Sequence, residues 1–69
     1  YKGQGQLDEA IACYQEALRI RRELAAWPQA GETLHALAEV YAMQGEWAQA
    51  AEMAEQAAEA WRRAAEGHG

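Results

Sequence analysis

His35 and Glu39 stand four residues apart in the run HALAE, so on a helix they share one face. An imidazole and a carboxylate so placed could supply two metal ligands or an acid/base pair. A metal needs a third ligand and a reaction needs a pocket, and neither is visible nearby. The other histidine, His68, sits in the terminal Gly-His-Gly. The pair therefore reads as a surface histidine beside a glutamate. Cys13, the single cysteine, directly precedes Tyr14. No His or basic cluster is spaced to activate its thiol, so it reads as a half-buried packing residue. Arg19, Arg21 and Arg22 form one small basic group, and Arg62 and Arg63 another. Glu16, Glu23, Glu59 and Glu66 lie three or four residues away and can offset them. Gly3 and Gly5 are no nucleotide fingerprint, because no strand precedes them. With no phosphate loop, Ser/His/Asp grouping or paired cysteines, no catalysis, cofactor or metal is expected.

The elements that must position these side chains are helical. Alanine dominates, with many Glu, Gln, Arg and Leu, all good helix formers. Eleven acidic and six basic residues give a formal charge of -5. That excludes the basic footprint of a nucleic-acid surface and repels anionic membranes. No stretch resembles a signal peptide or a membrane span. The opening YKGQGQ, without an initiator Met, reads as starting inside a longer chain. A cytoplasmic setting is expected.

Three helices are predicted, at about 7–26, 28–43 and 46–66. The first carries a stripe of Leu7, Ala10, Ile11, Tyr14, Ala17 and Leu18, which Ile20 and Leu24 extend. Trp27 and Pro28 break the run, and Pro28 suits the first turn of a new helix. Trp27 is expected to staple this loop onto the first helix near Ile20 or Leu24, or else to anchor an interface. The second helix has Leu34, Leu37, Ala38 and Tyr41 on one side, with Gly31 weakening its start. Gly45 should end it in the left-handed conformation. The third carries Trp47, Ala50, Ala51, Ala54, Ala57, Ala58 and Trp61, with Trp47 in the core. The tail after Glu66 should fray.

GQLDEA at residues 5–10 is nearly repeated by GEWAQA at 45–50. Tyr1 aligns with Tyr41, Gly5 with Gly45 and Leu7 with Trp47. Two helices per period of about forty residues indicate a helical repeat. The run Leu34, Leu37, Ala38, Tyr41, Gly45, Trp47, Ala50, Ala54 and Ala57 resembles the tetratricopeptide repeat family. Ala54 departs from it, since an aromatic is usual there. Tyr1, Gly5, Leu7, Ala10, Tyr14 and Ala17 match as an earlier, partial copy. The long period is similar to repeats of kinesin light chains and of bacterial signal-transduction regulators.

The resemblance implies an all-α fold, an alpha-alpha superhelix of three antiparallel helices ordered B, A, B. A preceding A helix would survive only as Tyr1 to Gly3, leaving the stripe of the first helix exposed. It also implies a protein-interaction module, part of a larger α-solenoid. Alternatives are a homo-oligomerisation element, or the sensor arm of a bacterial ATPase or transcriptional regulator. The implied binding face is Glu32, His35, Ala36, Glu39 and Met43. Some relatives grip a peptide carboxylate with Lys, Arg and Asn at such positions, and this chain has none there. A basic or apolar peptide suits the charge better, or a second copy in a homodimer. Trp27 and Trp61 are the candidate interface anchors.

Overall fold

The computed structural model describes residues 2–67, with side chains from residue 5 onward. Tyr1 and His68 lie outside these residues, as does most of the tail expected to fray. Three helices follow one another, α1 (Lys2–Glu23), α2 (Trp27–Met43) and α3 (Trp47–Glu66), with no strand among the described residues. They form a slab of 47 × 21 × 11 Å, with α2 packed against both neighbours.

The two connections are built alike. After α1, the Ala26 N–H donates to the Arg21 carbonyl at 2.8 Å and the Ala25 N–H to the Arg22 carbonyl at 3.0 Å. After α2, Glu46 donates to Tyr41 at 2.9 Å and Gly45 to Ala42 at 3.0 Å. Both are Schellman closures, which satisfy otherwise orphaned carbonyls with one left-handed residue. That residue is Gly45 in the second turn, φ 79°, but Ala25 in the first, φ 56°. Ala25 therefore carries the Cβ strain that glycine avoids.

The core sits along α2. Ala30, Leu34, Leu37 and Tyr41 recur at helical spacing, and Leu34 and Leu37 are fully buried. Leu18 of α1 closes one side, with Ile11 and Tyr14 packed against the cluster. Ala57 and Ala60 of α3 close the other, supported by Ala50 and Met53. Thr33 is buried too, and its hydroxyl donates to the Gln29 carbonyl at 3.0 Å.

Several expectations are corrected. The first helix starts at Lys2 and runs unbroken through Gly5, so no turn there matches the one at Gly45. Glycine permits a turn without imposing it; at Gly45 the Schellman pair and the packing of α2 on α3 impose it. α1 also stops at Glu23, three residues short of the predicted end. Its stripe is not left open: α2 covers Ile11, Tyr14 and Leu18. The open side of α1 carries Cys13 and Ile20, with Leu24 exposed in the turn that follows, so the cysteine is exposed rather than half-buried. Trp47 is not core but 69% exposed, and it is not among the residues packed against the core cluster. The α3 stripe proves to be two faces. Ala50 and Ala57 turn to α2, whereas Ala51, Ala54 and Ala58 face solvent.

Candidate interaction surface

α2 is held between two helices, so its remaining face is the broad one left to solvent. Glu32, His35, Glu39 and Met43 are exposed there and Ala36 is half-buried. The helix spacing that buries Leu34, Leu37 and Tyr41 on one side sets these residues on the other. His35 Nδ1 lies 3.9 Å from Glu39 Oε1, in the open. Among the described residues no group of three His, Cys, Asp or Glu side chains could hold a metal ion.

Trp61 joins this face from α3, a contact that its distance in sequence concealed. Its ring lies 6.2 Å from that of His35, tilted by 39°. The indole also rests over Gly31. A Cβ at Gly31 would fall within 2.8 Å of three indole ring atoms, too near for any side chain to coexist with this pose. Gly31 thus seats the tryptophan, and it neither ends α2 nor delays its start. Trp61 remains 43% exposed, so one side of the ring is free.

The second anchor lies elsewhere. Trp27 is the first residue of α2, not a loop residue, and it packs against the core from there. The Arg63 guanidinium sits 5.2 Å from its ring centre, a cation–π contact. This contact ties the start of α2 to α3. Around it opens a shallow hollow of about 220 Å³, lined by Arg22, Trp27, Gln56, Glu59, Ala60 and Arg63.

Each arginine group has one member paired on the helix surface. Arg19 bridges Glu16 at 2.7 Å and Glu23 at 3.2 Å, and Arg63 meets Glu59 at 3.4 Å. The hydrogen bond from Arg19, then its charge, hold the Glu16 carboxyl below the usual carboxylate range. These pairs are solvated and contribute little to stability.

A family model described as tetratricopeptide repeat matches residues 1–63. The chain belongs to the tetratricopeptide repeat family. Its three helices and strandless described residues agree with that all-α repeat fold. Tetratricopeptide repeats are typically non-catalytic modules that bind proteins or peptides. Neither the comparison with curated proteins nor that with solved structures gives a match. No helix among the described residues is long and apolar enough to cross a membrane.

Proposed function

We propose that this repeat is a protein-interaction module within a longer α-solenoid, and that it binds a basic, partly apolar peptide on the outward face of α2. The observation that carries the reading is the neighbourhood of His35, where exposed Glu39 stands on one side and the half-open Trp61 ring on the other. Glu32 adds a second carboxylate, and Ala36 and Met43 add apolar surface. A lysine or arginine side chain would be met by carboxylates at its tip and by an indole along its stem. Recognition needs no bond chemistry, only a surface whose side chains are already in place. The single cysteine fits a reducing, cytoplasmic setting.

Fluorescence anisotropy with a labelled Lys/Arg-rich amphipathic peptide tests this, beside the same peptide with Glu in place of each basic residue. The basic peptide should bind and weaken with added salt. Reversal of Glu32 and Glu39 to Lys should weaken it at least about tenfold. Equal binding of the acidic peptide, or indifference to the two reversals, would refute the assignment.

A further inference from the structure

The hollow of about 220 Å³ around Trp27 shares no residue with the outward face of α2. Its walls come from all three helices: Arg22 from α1, Trp27 from α2, and Gln56, Glu59, Ala60 and Arg63 from α3. Gln56, Glu59 and Arg63 stand across α3 from Ala51, Ala54 and Ala58. A further helix of the repeat, laid on those alanines as α2 lies on Ile11, Tyr14 and Leu18, would leave the hollow open. A helix before α1 would meet Cys13 and Ile20, the counterparts of Met53 and Ala60, and these stand across α1 from Arg22. The hollow therefore persists inside a longer array.

Its polar lining is rich in donors. Arg22 donates to Gln56 Oε1 at 2.6 Å and has no carboxylate partner among the described residues. That bond turns the Gln56 amide oxygen to Arg22 and leaves the amide NH2 without a partner among the described residues. Arg63 sits 5.2 Å from the Trp27 ring centre and reaches Glu59 at 3.4 Å. A strong charge-assisted bond closes to about 2.8 Å, so Arg63 is open to a better acceptor. Glu59 is the one acid in the lining. Two guanidiniums and an amide NH2 against one carboxylate favour an anion. Trp27 and Ala60 add apolar surface between them.

We infer that this hollow receives an acidic side chain of a partner protein, its carboxylate held by Arg22 and Arg63 and its methylene stem laid against Trp27. The size separates a side chain from a whole small molecule. Small-molecule pockets run from roughly 300 Å³ upward and enclose most of their ligand. This one is smaller and shallow, so a single side chain fits it and the chain that carries that side chain supplies the remaining contacts. A carboxylate matches the planar fork of a guanidinium, and both arginines are already placed, one by Gln56 and one by Trp27. The formal charge of -5 opposes an acidic partner at long range. At about 0.15 M salt, charges beyond roughly 8 Å are screened and the local donors decide. The repeat then carries two sites of opposite sign, carboxylates on the outward face of α2 and guanidiniums in the hollow.

NMR titration of the nitrogen-labelled full chain reads this directly, with a short capped peptide of alternating Glu and Leu as the probe. The Trp27 indole N–H and the side-chain N–H signals of Arg22 and Arg63 should move together and saturate. Because the hollow is small and solvated, this binding should be at least about tenfold weaker than that of a basic peptide on α2. The same probe with Gln for each Glu should lose at least about tenfold more. Arg22→Gln and Arg63→Gln should each weaken the acidic peptide about tenfold, with helicity by circular dichroism kept. Arg62→Gln, beside the hollow but not in its lining, should change it less than about twofold. Glu59→Gln removes the competing acid and should tighten binding about threefold, a gain that no loss of structure could imitate. Absence of binding, signals that move at Trp61 instead of Trp27, or an Arg62→Gln as damaging as Arg22→Gln would overturn the proposal. So would equal binding of the Gln probe, weaker binding by the Glu59→Gln chain, or inorganic phosphate that binds as tightly as the peptide. Glu32 and Glu39 stay in place throughout, so the two sites can fail separately.

Discussion

α1 and α3 hold equivalent places in the forty-residue period, yet each buries the side that the other leaves open. α1 turns Ile11, Tyr14 and Leu18 to α2 and shows Cys13 and Ile20 to solvent. α3 turns Met53, Ala57 and Ala60, the counterparts of Cys13, Ala17 and Ile20, to α2. It shows Ala51, Ala54 and Ala58, the counterparts of Ile11, Tyr14 and Leu18. The repeat fixes where apolar residues stand, and the position of α2 decides which of them are buried. Their sizes follow in part: Ile11, Tyr14 and Leu18 of α1, which α2 covers, are matched on the open side of α3 by alanines, with the exposed Trp47 and Trp61 towards its ends.

Urea unfolding at low protein concentration can break that contrast. Leu37→Ala sets the upper limit, because Leu37 is fully buried on the shared helix, and should cost about 4 kcal/mol. Leu18→Ala should cost about 3 kcal/mol, whereas Ala58→Leu, its mirror on α3, should change stability by less than about 0.5 kcal/mol. A large effect at Ala58 would mean that the open side of α3 is covered within the chain. Tyr14→Ala should cost about 2 kcal/mol, less than for full burial, since Tyr14 is half-buried. The two turns offer a finer comparison. Gly45→Ala should cost about 1 kcal/mol and Ala25→Gly should gain a few tenths up to about 1 kcal/mol, the signs set by the left-handed residue alone. Equal and null effects would show that the two closures do not bear on stability. At the small end, Glu39→Ala should stay within about 0.5 kcal/mol. Glu16 contributes above the ordinary carboxylate range, and this contribution is lost as pH falls through its lowered pKa. Arg19→Gln should return the Glu16 titration, followed by carboxyl NMR, to the usual range.

Sequence patterning revealed α2 most clearly, because Leu34, Leu37 and Tyr41 contrast with Glu32, His35 and Glu39. Such contrast makes a 3.6-residue period readable. In α3 alanine occupies both the covered and the open side, so two stripes merged into one and Met53 and Ala60 were missed. Trp47 misled because large aromatics are usually buried. The outward face of α2 could be read from spacing. The arrival of Trp61 beside His35 could not, since it depends on how α3 crosses α2 and on the missing side chain at Gly31. Gly31 looked like a weak helix start, and only its neighbour explains it.

The slab is one helix thick, and among the described residues the only hydrogen bond between α1 and α3 is that from Arg22 to Gln56. Apart from that exposed contact, communication between the ends passes through α2, as in a linear chain of nearest-neighbour couplings. Amide exchange should reflect this order. The α2 amides around Leu34 and Leu37 should exchange only with global opening, while α1 and α3 detach in separate, lower-energy events. A ligand held on the outward face of α2 would then slow exchange in α2 and leave the separate detachments of α1 and α3 nearly unchanged, whereas one bridging α2 and the Trp61 side of α3 would slow both of those helices and leave α1 nearly as labile as before.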